Sequence, residues 1–400
     1  DRRDAALAAR LLYGVVQNCM LLDFYLAQAV SSPLAKLQPV VLDILRLGAY
    51  QILFLDKIPV SAAVNEAVEQ TKTYANKRAA GLVNGSLRTL ARRRDELVQP
   101  HDLATKYSHP QPLVDCLRAS MDDETLEAFL AADNDIPKTA LQVNPLKAAP
   151  EQVAAALDEA GVAYEPHPWL HGCFLVSGTG NLEALPLFQS GAVCVQDAAA
   201  KLAVLASGAA PGMRVLDCCA APGGKSFAAA MQMENTGSIL SCDLHAHKIS
   251  LIEKNAARLG ISIIEAEQRS AAEFEPALEK QFDLVIADVP CSGLGVIRKK
   301  PDIRYKDMAS LAGLPTIQSA ILDNASRYVR RGGTLVYSTC TVLPEENERV
   351  TDAFLRAHPD FTYDAFALPG PIGTVEGHIT LWPQRHGTDG FYICRMTRKE

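Results

Sequence analysis

The chain has 400 residues, is 48% hydrophobic and 21% charged, and carries a net charge of −7; that is an ordinary globular composition, long enough for about two to three domains. Its most apolar early stretch, VVLDILRLGAYQILFL, is broken by Asp43 and Arg46, short of the ~20 uninterrupted apolar residues that cross a bilayer, so no membrane partner is expected. The ten cysteines include no Cys-x-x-Cys pair, which argues against a metal site or a dithiol redox pair and for free thiols in a reducing, cytoplasmic setting. The amphipathic start, without the long apolar core of a secretory signal, agrees with that expectation.

From residue 5 to about 98, apolar residues recur at three- and four-residue spacing, with breaks at SSP and KIPVS, and predict a helical bundle. Residues 1–100 hold 13 Lys+Arg against 9 Asp+Glu, so this part carries +4 and the other 300 residues carry −11. Within it, KRAAGLVNGSLRTLARRR (77–94) has six basic residues and no acidic one. Such a run suits a polyanion, although a solvated helix face reads the same way on this stretch alone.

Helical spacing continues weakly through 110–132, which closes an all-α domain over 1–132, and DNDIPKTA follows as a linker. Next come a strand at LQVN, a helix from Pro150 to Ala160, strands near VAYEP and FLVSG, a short helix, and AVCVQD. These predict a small α+β connecting domain over 133–205. It lacks the paired aromatic strand motifs of a base-stacking RNA domain and reads as a scaffold.

From about 206 the rhythm changes. MRVLDC, SILSCD, ISIIEAE, FDLVIADV and GTLVYST alternate with helical stretches, the pattern of a mostly parallel sheet covered on both faces, so 206–400 is expected to be an α/β domain. Ligands of such sheets bind beyond the carboxyl ends of the strands. The first strand runs into CCAAPGGKS, where Gly223 and Gly224 allow close backbone approach at a helix start. The second ends at Asp243, about twenty residues beyond the glycines, where a carboxylate can accept from ribose hydroxyls. The fourth ends in DVPCSG, with Asp288 and Cys291, and the fifth in STC, with Cys340. Four strand ends thus converge on one pocket.

That pocket has a nucleoside-binding acid but neither a Walker-type loop nor a Gly-x-Gly-x-x-Gly turn, which points to a nucleoside without a polyphosphate, and S-adenosylmethionine fits. No Asn-Pro-Pro-Tyr strand end is present to hold an exocyclic nitrogen; a thiol stands there instead, which points to attack on carbon. A helix starting at Pro344 would favour the Cys340 thiolate.

DCCAAPGGKS, DVPCSGLGVIRKKPDIRY, TLVYSTCTVLPEEN and TDGFYI together resemble the RNA (cytosine-carbon-5) methyltransferases of the Sun/RsmB type. GLVNGSLR in the helical part resembles their NusB-like RNA-binding domain, and LQVNPLKAAPEQV with AVCVQDAAAKL their connector. The resemblance implies a Rossmann-like class I methyltransferase domain behind these two, S-adenosylmethionine as cofactor, and 16S ribosomal RNA or the assembling small subunit as partner of a monomeric enzyme. It implies Cys340 as the nucleophile and Cys291 as the thiol that assists product release, with Asp288 beside the ring and Lys225 ordering the same loop. It further implies a cofactor cradle of Cys219, Ala220, Ala221, Pro222, Gly223, Gly224, Lys225, Asp243 and Asp288. Arg298, Lys299 and Lys300 are expected to touch phosphate. One position departs from the family pattern: Ser270 stands where an Asp usually meets the adenine. A transfer-RNA methyltransferase of the same chemistry, and a non-catalytic assembly factor that kept the fold, are the competing expectations.

Overall fold

The amphipathic run at 77–92 shows how the first part of the chain folds. Asn76 caps the helix by accepting from the Ala79 N–H at 2.9 Å, a cap of the kind that stabilises a helix by ~1 kcal/mol. Ala80, Val83, Leu87 and Leu90 then bury one stripe, while Lys77, Arg78, Arg88 and Arg92 stay exposed on the other side.

The computed structural model describes residues 2–400, which fall into two compact units, one running to Asp135 together with Lys300–Lys306, the other comprising Ile136–Lys299 and Asp307–Glu400. The first unit is built from α1 (Arg2–Gln17), α2 (Cys19–Ala27), α3 (Pro39–Phe54), α4 (Val60–Tyr74), α5 (Lys77–Arg92), α6 (Leu103–Lys106), α7 (Gln111–Arg118) and α8 (Asp123–Ala132). Its core joins Leu22, Leu26, Ile44, Leu45, Val83 and Leu87. At Gly48 of α3 a Cβ would lie 2.5 Å from a Leu87 methyl, so only glycine admits this approach of α5 to α3. The segment Lys300–Lys306 belongs to the same unit. Its Arg304 is 1% exposed and donates to the carbonyls of Gln17 at 2.6 Å and Ser108 at 3.0 Å, and to Asn134 Oδ1 at 3.1 Å. Among the described residues no single helix is long and apolar enough to cross a membrane.

The second unit opens with an antiparallel sheet in the order β2-β3-β1-β4, formed by β1 (Thr139–Val143), β2 (Ala163–Pro166), β3 (Cys173–Ser177) and β4 (Val193–Val195). Helices α9 (Pro150–Glu159) and α10 (Pro186–Gln189) close its core around Leu141, Val153, Leu157 and Val193. Helix α11 (Ala198–Ser207), capped by Asp197, packs on the large sheet, its Ala199 and Leu202 clustering with Phe391 and Ile393.

That sheet contains β5 (Arg214–Asp217), β6 (Ser238–Asp243), β7 (Ile264–Gln268), β8 (Phe282–Asp288), β9 (Val329–Thr339), β10 (Phe361–Tyr363), β13 (His378–Leu381) and β14 (Phe391–Arg398), with β11 (Phe366–Leu368) and β12 (Gly373–Val375) as a separate hairpin. The order is β10-β14-β9-β8-β5-β6-β7, with β13 also on β14. From β7 to β9 all neighbours are parallel, and β14 joins β9 antiparallel. Alternation sends neighbouring residues to opposite faces. Leu216, Val285 and Leu335 meet α14 (Leu314–Tyr328) and α15 (Glu348–Ala357). Val215, Leu284 and Val336 meet α12 (Gly224–Gln232) and α13 (Ala246–Leu259). A last short helix, α16 (Pro383–His386), precedes β14. The chain builds outward from β5 to β6 and β7, then crosses to β8 and β9, so β5 marks the reversal where a cleft opens.

Candidate active site

The turn after β5 is shaped by Gly223. Its φ of +107° is closed to most side chains, and a Cβ there would strike the Phe227 ring at 2.2 Å. The Gly223 N–H donates to Ala220 O at 2.7 Å, and the Ala220 N–H to Cys242 O at 2.8 Å, which binds residues 219–224 to the end of β6 as α12 begins. At that end lies Asp243, 7% exposed. Its Oδ1 accepts from the His245 N–H at 3.0 Å and faces Lys248 at 3.6 Å, while Oδ2 takes no hydrogen bond from the described residues. Beneath the turn, Asp217 is fully buried, and Ser226 donates to its Oδ2 at 2.7 Å. Burial pushes this carboxyl up to about 6.

Lys225, on the first turn of α12, donates to Asp288 Oδ2 at 2.5 Å, and Ser338 donates to Oδ1 at 2.7 Å. The ammonium also stands 5.1 Å from the centre of the Phe391 ring. Burial disfavours the Lys225 charge, but the Asp288 carboxylate outweighs it and holds the ammonium above its ordinary value.

Beyond the ends of β8 and β9, Cys291 and Cys340 bring their sulfurs to 3.2 Å, both partly exposed. The contact shifts the two thiols in opposite directions. The hydrogen bond from Cys291, aided by the Lys225 charge, lowers the Cys340 thiol, against burial and Asp288. The same hydrogen bond, with burial, raises Cys291 well above its ordinary value. The contact with Cys291 thus favours ionisation at Cys340 over ionisation at Cys291.

Two backbone bonds tie the loop after Cys291 and the TDG turn to the Cys340 backbone: Gly295 N–H donates to Cys340 O at 3.0 Å, and Gly390 N–H to Gly295 O at 2.8 Å. A Cβ on Gly295 would lie 1.9 Å from that carbonyl partner's own oxygen on Gly390, so the GLG of one motif and the TDG of another must both be glycine to interlock.

Two expectations need correction. Helix α15 begins at Glu348, not at Pro344, because Asn347 is drawn back into the turn, accepting from Thr339 Oγ1 at 2.6 Å and donating to Thr341 O at 3.1 Å. The Cys340 thiolate is therefore favoured by Cys291 and Lys225 rather than by a helix end. Arg298 and Lys299 do not offer free charges to phosphate: Arg298 pairs with Asp389 at 2.9 Å, and Lys299 with Asp389 at 2.7 Å and Asp197 at 2.5 Å. The site residues that motifs did not single out are Ser338, Gln318 and Glu346; a carboxylate inside the apolar TVLPEEN run was the available signal.

Residues 205–397 match the family described as 16S rRNA methyltransferase RsmB/F, residues 1–92 the NusB family, and residues 109–183 the ferredoxin-like domain of RsmF/B-like methyltransferases. A probable ribosomal RNA small subunit methyltransferase B of Bacillus subtilis is 39% identical over 410 residues, which take in 99% of this chain and 91% of the relative. The chain belongs to the RsmB/F family of ribosomal RNA methyltransferases. A methyltransferase homolog from Pyrococcus horikoshii is 25% identical with a TM-score of 0.63 over 75% of this chain and 98% of its own. NSun6 of the same organism, solved with SFG, shares the fold at 19% identity and a TM-score of 0.63, over 73% of this chain and 98% of its own.

The protein is thus a small-subunit ribosomal RNA methyltransferase with a NusB domain, a ferredoxin-like connector and a methyltransferase domain that uses S-adenosylmethionine. The residues that would hold that cofactor are Asp243, whose Oδ1 alone is engaged by the described residues, and the tight Gly223 turn at the sheet's reversal.

Proposed function

We propose that this enzyme methylates carbon 5 of a cytosine in 16S ribosomal RNA through a covalent bond between Cys340 and carbon 6. The observation that carries the reading is the thiol pair at 3.2 Å beside the Lys225 ammonium. Carbon 5 of cytosine is a poor nucleophile until the ring's conjugation is interrupted, and addition of a thiolate at carbon 6 interrupts it. Of the two sulfurs, Cys340 is the one whose ionisation its surroundings favour. As the addition proceeds, negative charge flows onto the ring nitrogen and carbonyl, where the Lys225–Asp288 pair is placed to hydrogen-bond the base and supply a proton.

Residues 219–225 and Asp243 would hold S-adenosylmethionine, which when bound would supply the methyl group that carbon 5 takes up, its sulfonium S–C bond breaking to leave the neutral thioether. Release needs the carbon 5 proton to pass to a base and the Cys340 sulfur to leave with its bonding pair. The Cys291 thiol, 3.2 Å from that sulfur, stabilises the departing thiolate.

Carbon 6 is shielded inside a stacked helix, so the target is unpaired or turned out. Docking falls to α5, where Lys77, Arg78, Arg88 and Arg92 are exposed with no acidic residue on the helix, a charge pattern suited to a phosphate backbone. The protein acts as a monomer in this reading. The decisive experiment is bisulfite sequencing of 16S ribosomal RNA from cells with and without the gene. One cytosine that loses protection on deletion is expected; an unchanged map sinks the assignment.

A further inference from the structure

The two sulfurs sit on different strand ends, and the bonds that hold their relative position run through an acid outside the reacting cluster. Glu346 is 2% exposed. Its Oε2 accepts from the Ser292 N–H at 2.9 Å and from Gln318 Nε2 at 2.8 Å, and the same Gln318 amide donates to Pro290 O at 3.0 Å. Ser292 Oγ also donates to Thr341 Oγ1 at 2.7 Å. The residues on either side of Cys291 are thereby tied to the turn that follows Cys340. Burying a carboxylate costs several kcal/mol unless its hydrogen bonds compensate. Here one oxygen takes two, while Oε1 is buried without a partner. An alkyl group would serve plain packing with less penalty, so the side chain is there for what its acceptor oxygen holds.

We propose that Glu346, with Gln318, is a positioning residue that clamps the Cys291 loop onto the Cys340 strand end and so sets the thiol–thiol contact on which release of the methylated base depends. The inference rests on the covalent reading above. Neither residue reaches the base in this assignment; both act through Cys291. Loss of the clamp frees the loop, and displacement of a reacting group by about 1 Å can cost ~100-fold in rate.

The test compares full-length Glu346→Ala, Glu346→Gln and Gln318→Met with the parent. In the first arm, turnover on 16S ribosomal RNA and the fraction of RNA held as a denaturation-resistant adduct are measured. Glu346→Ala is expected to lower turnover roughly ten- to hundred-fold and to raise the adduct fraction, with S-adenosylmethionine affinity unchanged. Glu346→Gln, whose amide oxygen still accepts from Ser292, should recover most of the loss. In the second arm, without RNA, iodoacetamide labelling of Cys340 is followed against pH by mass spectrometry. Its midpoint should rise in Glu346→Ala and in Gln318→Met, because the groups facing this sulfur are Cys291, Asp288 and Lys225 and only the first is moved.

If Glu346→Ala does not fold, Gln318→Met carries both arms. Folded variants with parental adduct fraction and parental labelling midpoint overturn the clamp. A shifted midpoint with no adduct from any enzyme, including Cys291→Ala, overturns the covalent reading and with it the role in release, so the two failures are separable.

Discussion

Lys225 and Asp288 form an ion pair at 2.5 Å across the site, on side chains 11% and 29% exposed. The carboxylate is doubly held, since Ser338 takes its other oxygen. Lys225 therefore has two duties: it keeps Asp288 aimed and supplies the positive charge that favours a thiolate at Cys340.

Lys225→Met keeps the volume and removes both. Turnover should fall roughly 100-fold, and the pH midpoint for alkylation of Cys340 should move up. Asp288→Asn should act differently. It removes a negative neighbour of Cys340, so the midpoint should move down while turnover still falls. Movement of both midpoints in the same direction would refute the electrostatic account.

The opposite shifts of the two thiols make the cysteines distinguishable. Cys340→Ser should abolish methyl transfer and leave no RNA adduct on a denaturing gel. Cys291→Ala should transfer a methyl group once and accumulate the adduct, because the departing sulfur has lost its donor; Cys291→Ser should resemble it, since the shorter C–O bond leaves the hydroxyl farther from Cys340. The same loss should raise the alkylation midpoint of Cys340 in Cys291→Ala. An adduct formed only when Cys291 is intact would exchange the two roles.

Much of this site could be read from the chain because a parallel sheet sends every strand's carboxyl end to one side. Asp243, Asp288, Cys291 and Cys340 each follow an apolar run at a strand end, and no pairing information is needed to bring them together. What could not be read depends on partners distant in sequence. Arg298 and Lys299 look like free charges until Asp197 and Asp389, one on each side in the chain, are placed against them. Pro344 looks like a helix start because the hydrogen bonds of Asn347 to Thr339 and Thr341 have no sequence signature. RKKPDIRY has the composition of a solvated turn, yet all of it after its first two residues belongs to the helical unit.

That last point changes how the helical unit should be tested. Deleting residues 1–100 would strip Gln17 from Arg304, so charge reversal on α5 is the cleaner probe. Arg78→Glu, Arg88→Glu and Arg92→Glu combined should weaken RNA binding and flatten the dependence of log affinity on log salt by about 2 to 3, at ~0.7 to 0.9 for each phosphate no longer neutralised. S-adenosylmethionine affinity should stay unchanged. An unaltered salt slope would remove α5 from the docking surface.

Arg304 itself should be a stability residue. Its guanidinium donates to Gln17 O, Ser108 O and Asn134 Oδ1, and Arg304→Met would leave these acceptors buried without their donor. At 1–3 kcal/mol for each unsatisfied group, the helical unit should lose ~3 kcal/mol or more, seen as an earlier melting transition. Arg304→Lys should recover little, because one ammonium cannot span three acceptors on a fixed fork. Melting unchanged in Arg304→Met would mean that water replaces the guanidinium without cost.

Asp217 provides a pH-dependent prediction with a definite sign. Its carboxyl, ordinarily near 3.8, is pushed up to about 6 by burial, while Ser226 and Lys225 pull the other way. Below about pH 4 it is protonated both folded and unfolded, and pH has no effect through this group. Between about 4 and 6 the unfolded chain gives up the proton and the folded chain keeps it, so stability is lost as pH rises through this window and stays lower above it. The difference amounts to at most ~3 kcal/mol. Asp217→Asn keeps the shape and the acceptor for Ser226 but cannot ionise. It places an NH2 where Oδ1 lies buried without a partner, which should make it less stable than the parent near pH 5. Between pH 5 and 7.5 the parent alone is weakened through this position. The difference in melting temperature should therefore shift in favour of Asp217→Asn across that interval. A difference that stays constant from pH 5 to 7.5 would mean that the folded-state carboxyl titrates in its ordinary range and is hydrated rather than sealed beneath the glycine turn.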